Sequence, residues 1–251
     1  MLRSIAAVLF VILIALIQPA CAAEKTGSSG MSPAEALSAL QEIVPEVKVI
    51  EVRTTPVEGL YEVVIDSKDK KGILYLDSTR KYLISGSIVH IATKKNLTQE
   101  RFSEINKVDV SEIPLSDALV MGDRGASKKV IVFTDPDCPY CAKLHQELKK
   151  VLDERKDIAF YIKLYPLPMH KEAYGKSKTI VCEKSLALLD DAFAKKPLPP
   201  AKCETAVLED NLKLAEKLGI RGTPAIIMPN GTIFPGYKDA SSLIEAVDKA
   251  S

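Results

Sequence analysis

The sequence predicts a small α+β unit followed by a linker helix and a larger α/β domain. Three observations predict this. Residues 47–91 hold short runs in which apolar and polar residues alternate, with turn chemistry between them; that period of two marks an antiparallel meander. From residue 129 onward, apolar strand-like runs alternate with helical stretches, the order of a mixed sheet covered by helices. Between the two lies "NLTQERFSEINK", residues 96–107, polar with sparse apolar positions.

The N-terminus reads as a leader. Met1-Leu2-Arg3 supplies a positive start, and Ile5 to Ile17 is an unbroken apolar stretch of thirteen residues. Ala20-Cys21-Ala22 then forms an A-x-A pattern, which favours a secretory signal peptide over residues 1–22, cut after Ala22. The run is short for a membrane span, which needs about 20 residues. An uncleaved anchor and lipid attachment at Cys21 are the alternatives. Residues 23–30 are a polar spacer.

The small unit is expected over residues 31–95. Ser32-Pro33-Ala34-Glu35 starts a helix with a capping box and runs to about Ile43, ahead of Pro45. Strands follow at Val47–Arg53, Leu60–Asp66, Gly72–Leu76 and Tyr82–Ile91, with a polar turn at Ser67–Lys71. One sheet with one short helix leaves an edge or face that needs a partner. Gly86 sits inside the last run, as a bulge or a plain structural glycine. Residues 96–117 read as an exposed linker helix, polar nearly all round.

The larger domain covers residues 118–251. Strands are expected at Lys129–Thr134, Ile158–Leu164 and Ala225–Met228, with a hairpin turn at Pro229-Asn230-Gly231 and a return strand at Thr232–Phe234. Helices are expected from Pro139 to about Leu152, over most of Lys171–Lys196, at Ala201–Leu218 and at Ala240–Ala250.

The chain has 251 residues, 34 basic and 33 acidic, for a net charge of +1. That balance gives no basic excess of the kind nucleic-acid binding requires. Of five cysteines, four remain after a cut at Ala22: Cys138, Cys141, Cys182 and Cys203. An even count in an exported chain favours paired thiols.

Cys138 and Cys141 stand three apart in "FTDPDCPYCAKLH", where strand gives way to helix. A cysteine at a helix N-terminus faces unpaired N–H groups and the positive end of the dipole, so its thiolate is favoured. Cys141, one turn on, is placed to attack a mixed disulfide at Cys138. Pro139 suits the first turn, and Tyr140 offers an aromatic surface beside the sulfur. Asp135 and Asp137 are expected to oppose thiolate formation if they lie close. His145 either shares this helix face or is an ordinary histidine. A zinc site would need a second close pair or nearby histidines, and a structural Cys138–Cys141 bridge would constrain little chain.

Cys182 and Cys203 lie in expected helical regions on either side of "KKPLPPAK" and read as a structural disulfide, worth about 3 kcal/mol for a loop near 20 residues. In "GTPA", Pro224 heads a strand, and local sequence leaves cis and trans open.

"VFTDPDCPYCAKLH" together with "GTPA" resembles the thioredoxin superfamily. Nearly all of the mature chain resembles the periplasmic disulfide isomerase family, DsbC and DsbG: "GILYLDSTRKYLISGSIVHI" is similar to its N-terminal dimerisation domain, and "GIRGTPAIIMPNGTIFPGY" to its catalytic domain. Cys182 and Cys203 match a second disulfide of the DsbC branch. Pro139-Tyr140 looks instead like the DsbG branch, DsbC members commonly having Gly-Tyr, and Ala142 stands where a histidine is frequent.

The resemblance implies a thioredoxin-like catalytic domain with a helical insertion. It implies that Cys138 attacks, that Cys141 resolves, and that a cis Pro224 lies beside them. Tyr140, Thr223 and Pro224 would contact substrate, Thr223 through its backbone. It further implies a V-shaped homodimer in the periplasm, misoxidised exported proteins as substrates, and a membrane thiol reductase of DsbD type as partner; thiol–disulfide exchange itself is expected to need no cofactor. The expected function is isomerisation of wrong disulfides; a dedicated thiol reductant and a chaperone for unfolded chains are the competing readings.

Overall fold

The computed structural model describes residues 30–68 and 70–250. The expected signal peptide, its cut after Ala22 and the Cys21 alternative lie outside the described residues.

Helix α1 (Pro33–Leu40) carries the capping box in full: Ser32 Oγ accepts from the Glu35 N–H, and the Glu35 carboxylate accepts from the Ser32 N–H. It ends three residues earlier than expected, and Ile43 lies exposed. Pro45 restricts the residue before it and cannot continue the helix hydrogen bonds.

Strands β1 (Lys48–Thr54), β2 (Leu60–Ser67), β3 (Lys70–Asp77) and β4 (Leu83–Ile84) form an antiparallel sheet in sequence order. The expected strand Tyr82–Ile91 is broken. Its second half is β5 (Val89–His90), which pairs with β6 (Lys95–Asn96) in a separate two-stranded ribbon. Ser85-Gly86-Ser87, exposed between them, has no apolar side chain to bury against a sheet.

One face of the main sheet packs Val63 and Leu76 against Ala36 and Leu40 of α1. On the other face, Tyr75 is buried and bonds the hydroxyl of Thr98 in helix α2 (Leu97–Ile105). The linker is therefore neither helical throughout nor exposed all round. Its helix stops at Ile105, with one 3-10 turn at Val110–Glu112 beyond it. Arg101, with 11% of its side chain exposed, joins Glu51 of β1, Glu62 of β2 and Glu104 of its own helix. A helix poor in apolar residues is docked here by ion pairs, a contact that hydrophobic periodicity does not register.

The second sheet has the order β11-β10-β8-β9-β7. Its members are β7 (Leu119–Gly122), β8 (Lys128–Thr134), β9 (Ile158–Leu164), β10 (Ala225–Ile227) and β11 (Ile233–Pro235). Only β8 and β9 run parallel. Strand β7 was not expected; four residues are too few to show a period, and it forms by pairing with the edge of β9.

The two faces follow from alternation. Val130 and Val132 of β8, with Phe160 and Ile162 of β9, pack against α3 (Pro139–Glu154), α4 (Ala173–Glu183), α5 (Leu186–Phe193) and α7 (Ala240–Lys249). Ile131 and Phe133, with Ala159 and Tyr161, face Ala215 of α6 (Val207–Lys217) and the segment carrying Ile113 and Ala118. The helical stretch 171–196 is two helices, because Lys184 turns left-handed at φ 46° and Ser185 caps α5. Residues 201–206 are not helical, so Cys203 lies in coil.

The β10–β11 turn carries a tight contact. Gly231, at φ +83°, presents its carbonyl to the Val108 N–H at 2.9 Å, and a Cβ there would sit 1.9 Å from the Val108 carbonyl oxygen. Only glycine tolerates both the conformation and the approach. Gly231→Ala should cost on the order of 1–3 kcal/mol and speed hydrogen exchange at Val108. An unchanged melting curve and exchange rate would contradict this contact.

Candidate active site

Strand β8 ends at Thr134, and a three-residue loop carries the chain to Cys138, the N-cap of α3. Extended φ and ψ of −78° and 121° at Cys138, followed by Pro139 in the first turn, start the helix. The Cys138 N–H donates to the Asp135 carbonyl at 3.1 Å, which closes the loop. Both cysteines are free thiols, 5% and 1% exposed for Cys138 and Cys141.

The structure brings Cys138, Cys141, Thr223 and Pro224 together. The Thr223–Pro224 peptide is cis. The Cys138 thiol points at the Thr223 carbonyl, with Sγ to oxygen 3.5 Å. Cys141 Sγ lies 3.5 Å from the Asp135 N–H. Tyr140 stands outward beside them, 60% exposed, with the Lys143 ammonium 5.5 Å from its ring centre. Cys182 and Cys203 form a disulfide between α4 and the coil that precedes α6, with Cα atoms 5.7 Å apart.

The two thiols differ in acidity. Cys138 is lowered to about 5, chiefly because Cys141 donates a hydrogen bond to its sulfur; burial opposes this, and the Cys141 and Tyr140 N–H groups and the Thr223 side chain add to it. Cys141 is pushed up, first by burial and then by its hydrogen bond to Cys138. One sulfur is a thiolate at neutral pH and the other keeps its proton.

Carboxylates near the thiolate were expected to oppose it, but each is engaged elsewhere. Asp135 is wholly buried, and its carboxylate accepts from the N–H groups of Asp137 and Leu167 at 2.7 and 2.6 Å and lies 2.9 Å from His170 Nδ1. Asp137 pairs with Lys176 at 2.6 Å. His145 is no part of the site. It is buried against Phe193, 5.1 Å between ring centres, with Nε2 2.8 Å from Asp190.

Sequence reasoning missed His170. It lies 35 residues after Asp135, in the irregular stretch between β9 and α4, where no period or spacing ties it to the cysteines.

The lowered Cys138 value fixes a pH window. Its thiolate form dominates above about 5 and is lost as pH falls through that value. Alkylation of the reduced protein by iodoacetamide should therefore follow a midpoint near pH 5 at Cys138 and spare Cys141. By linkage, stability from this thiolate is fully present above the ordinary thiol value of 9.0 and lost as pH falls through about 5. A labelling midpoint near 9 would contradict the assignment.

A free, acidic thiol at a helix N-terminus with a second, buried thiol behind it defines a protein of thiol–disulfide exchange. A thioredoxin-like domain model matches residues 115–251, and the disulfide bond isomerase protein N-terminal domain matches residues 20–99. The thiol:disulfide interchange protein DsbC of Salmonella typhimurium is 30% identical over 211 residues, 81% of this chain and 82% of that protein. The Escherichia coli protein of the same name is 28% identical over 211 residues, covering 81% of this chain and 83% of its own. A crystal structure of a disulfide interchange protein from Neisseria gonorrhoeae, 30% identical, spans 55% of this chain and 98% of that one with a TM-score of 0.48. The chain belongs to the DsbC family of thiol:disulfide interchange proteins and is a thioredoxin-fold oxidoreductase.

Proposed function

We propose that the protein reshuffles wrong disulfides in exported proteins through Cys138. The observation that carries this is the pairing of an acidic thiol at the start of α3 with a buried, protonated thiol one turn on. The Cys138 thiolate attacks one sulfur of a substrate disulfide. That S–S bond breaks, a mixed disulfide forms, and the other substrate sulfur leaves as a thiolate. A substrate thiolate then attacks the mixed disulfide, which restores the Cys138 thiolate and leaves a new pairing with no net oxidation.

Cys141 supplies the other exit. Once deprotonated it attacks Cys138, forming the Cys138–Cys141 disulfide and releasing the substrate as a dithiol. The substrate then gains two electrons and the protein loses two, so a thiol reductase must restore it. A membrane reductase of DsbD type is the partner inferred for this step, and the periplasm, after cleavage near Ala22, is the inferred compartment. Among the described residues no helix is long and apolar enough to cross a membrane.

Substrate is inferred to lie across Tyr140, Thr223 and Pro224, extended beside Cys138. Residues 31–95 are inferred to hold a homodimer together. In support, Tyr82, Ile84, Val89 and Ile91 stand exposed along the broken strand region, Ile91 at 90%. Neither a dedicated reductant nor a chaperone is favoured by relatives named for thiol:disulfide interchange.

The test is reactivation of a scrambled multi-disulfide protein by the purified chain in a reducing buffer. Turnover that needs Cys138 supports the isomerase. Intact thiols without turnover would sink it in favour of the narrower reductant or chaperone.

A further inference from the structure

Asp135 is wholly buried yet receives only two backbone N–H groups, from Asp137 and Leu167, before His170 completes its coordination. The same residue closes the loop before Cys138 with its carbonyl and faces Cys141 with its N–H. One aspartate thus fixes both cysteines and one histidine. The His170 backbone N–H donates to the Leu167 carbonyl at 2.9 Å, which holds the main chain there, while Nδ1 on Asp135 holds the ring.

We propose that His170 is a positioning residue for Cys138: Asp135 holds the imidazole through its carboxylate and the Cys138 N–H through its carbonyl, and so ties a cationic ring to the loop that carries the thiolate and couples the two charges. The charged groups that act on the imidazole are Asp135 and Asp137 from the loop after β8 and Cys138 at the start of α3; Lys176 of α4, itself paired with Glu172, meets Asp137. Lys176 pairs with Asp137, so Asp135 and the thiolate come ahead of Asp137 among the anions that His170 answers. Its proton is held more tightly than an ordinary histidine's, first by the hydrogen bond to Asp135, then by the charges of Asp135, Cys138 and Asp137.

Coupling is reciprocal. When Cys138 is a thiolate, His170 keeps its proton to higher pH. When Cys138 is locked in a disulfide and neutral, His170 releases it earlier. The imidazolium in turn favours the thiolate, most strongly at pH values below the His170 midpoint, where the ring is charged. The inference rests on the reading that Cys138 is the attacking thiol, which alkylation site mapping tests separately.

The experiment is NMR titration of the His170 ring Cε1 proton in the wild-type protein, reduced and with the Cys138–Cys141 disulfide formed. The expected result is a midpoint higher in the reduced form by about half a pH unit or more. His170→Gln, which keeps a donor to Asp135 but no charge, should lower iodoacetamide reactivity of Cys138 about twofold at pH 5, since raising a midpoint of about 5 by half a unit takes the thiolate from about one half to about one quarter. Equal His170 midpoints in the two redox states would overturn the proposal, whatever the variant does. Reactivity unchanged in a folded His170→Gln protein would overturn it as well.

Discussion

Cys138→Ser should reduce disulfide reshuffling to the background of the reducing buffer while leaving the far-UV circular dichroism spectrum unchanged. The hydroxyl is close in size to the thiol and remains in a site whose frame is backbone: the Asp135 carbonyl on the Cys138 N–H and the Ala142 N–H on the Cys138 carbonyl, both 3.1 Å. What disappears is the nucleophile, because a serine hydroxyl has no lowered acidity comparable to the value near 5 at Cys138 and cannot form a mixed disulfide. Cys141→Ser should behave differently. Cys138 still attacks and a substrate thiol can still resolve, so part of the reshuffling survives. Escape through Cys141 is lost, and mixed disulfides should accumulate on a non-reducing gel. Full activity of Cys138→Ser would refute the assignment; an absence of trapped complexes in Cys141→Ser would refute the role of Cys141.

Asp117→Ala should be among the most destabilising single changes in the larger domain. Lys163 lies in "IAFYIKL", on the face of β9 shared with Ala159 and Tyr161, and its side chain is 1% exposed. Its ammonium lies 2.7 and 2.8 Å from the two Asp117 oxygens and 2.9 Å from the Pro114 carbonyl. Removing Asp117 leaves a buried cation with one carbonyl, a loss of about 3–5 kcal/mol and on the order of 6–20 °C in Tm for a chain of this size. Lys163→Met should cost less, since Asp117 is 20% exposed and can turn to water while Met fills the apolar face. The pair pins the end of the linker to the sheet that carries Cys138. Thermal unfolding of the two variants at neutral pH checks this; equal losses would contradict it.

Lys163 also shows where periodicity stops being informative. The run Ile158–Leu164 reads as a strand from its apolar residues, and the structure makes it the wholly buried β9. A lysine there looks like an outward-facing position. It is inward because the linker crosses that face and brings Asp117 to it, a contact 46 residues away in sequence. Arg101 repeats the lesson: its helix reads as exposed, and the partners that bury it lie 39 and 50 residues upstream.

Local chemistry by itself determined much of this protein. The capping box at Ser32 and Glu35, the alternation along β1 to β3, the glycine turn after β10 and the placement of Cys138 at a helix start each depend on residues a few positions apart, so each is legible in the chain. The broken run at Tyr82–Ile91 and the short β7 were not, because pairing with a neighbour decides such brief strands. The tertiary structure alone decided which carboxylates face the thiolate. It turned Asp135 toward His170 and Asp137 toward Lys176, and set Cys141 behind Cys138 so that one sulfur is acidic and the other is not. These are effects of burial and of contacts across 30 to 90 residues of chain, and no local pattern encodes them.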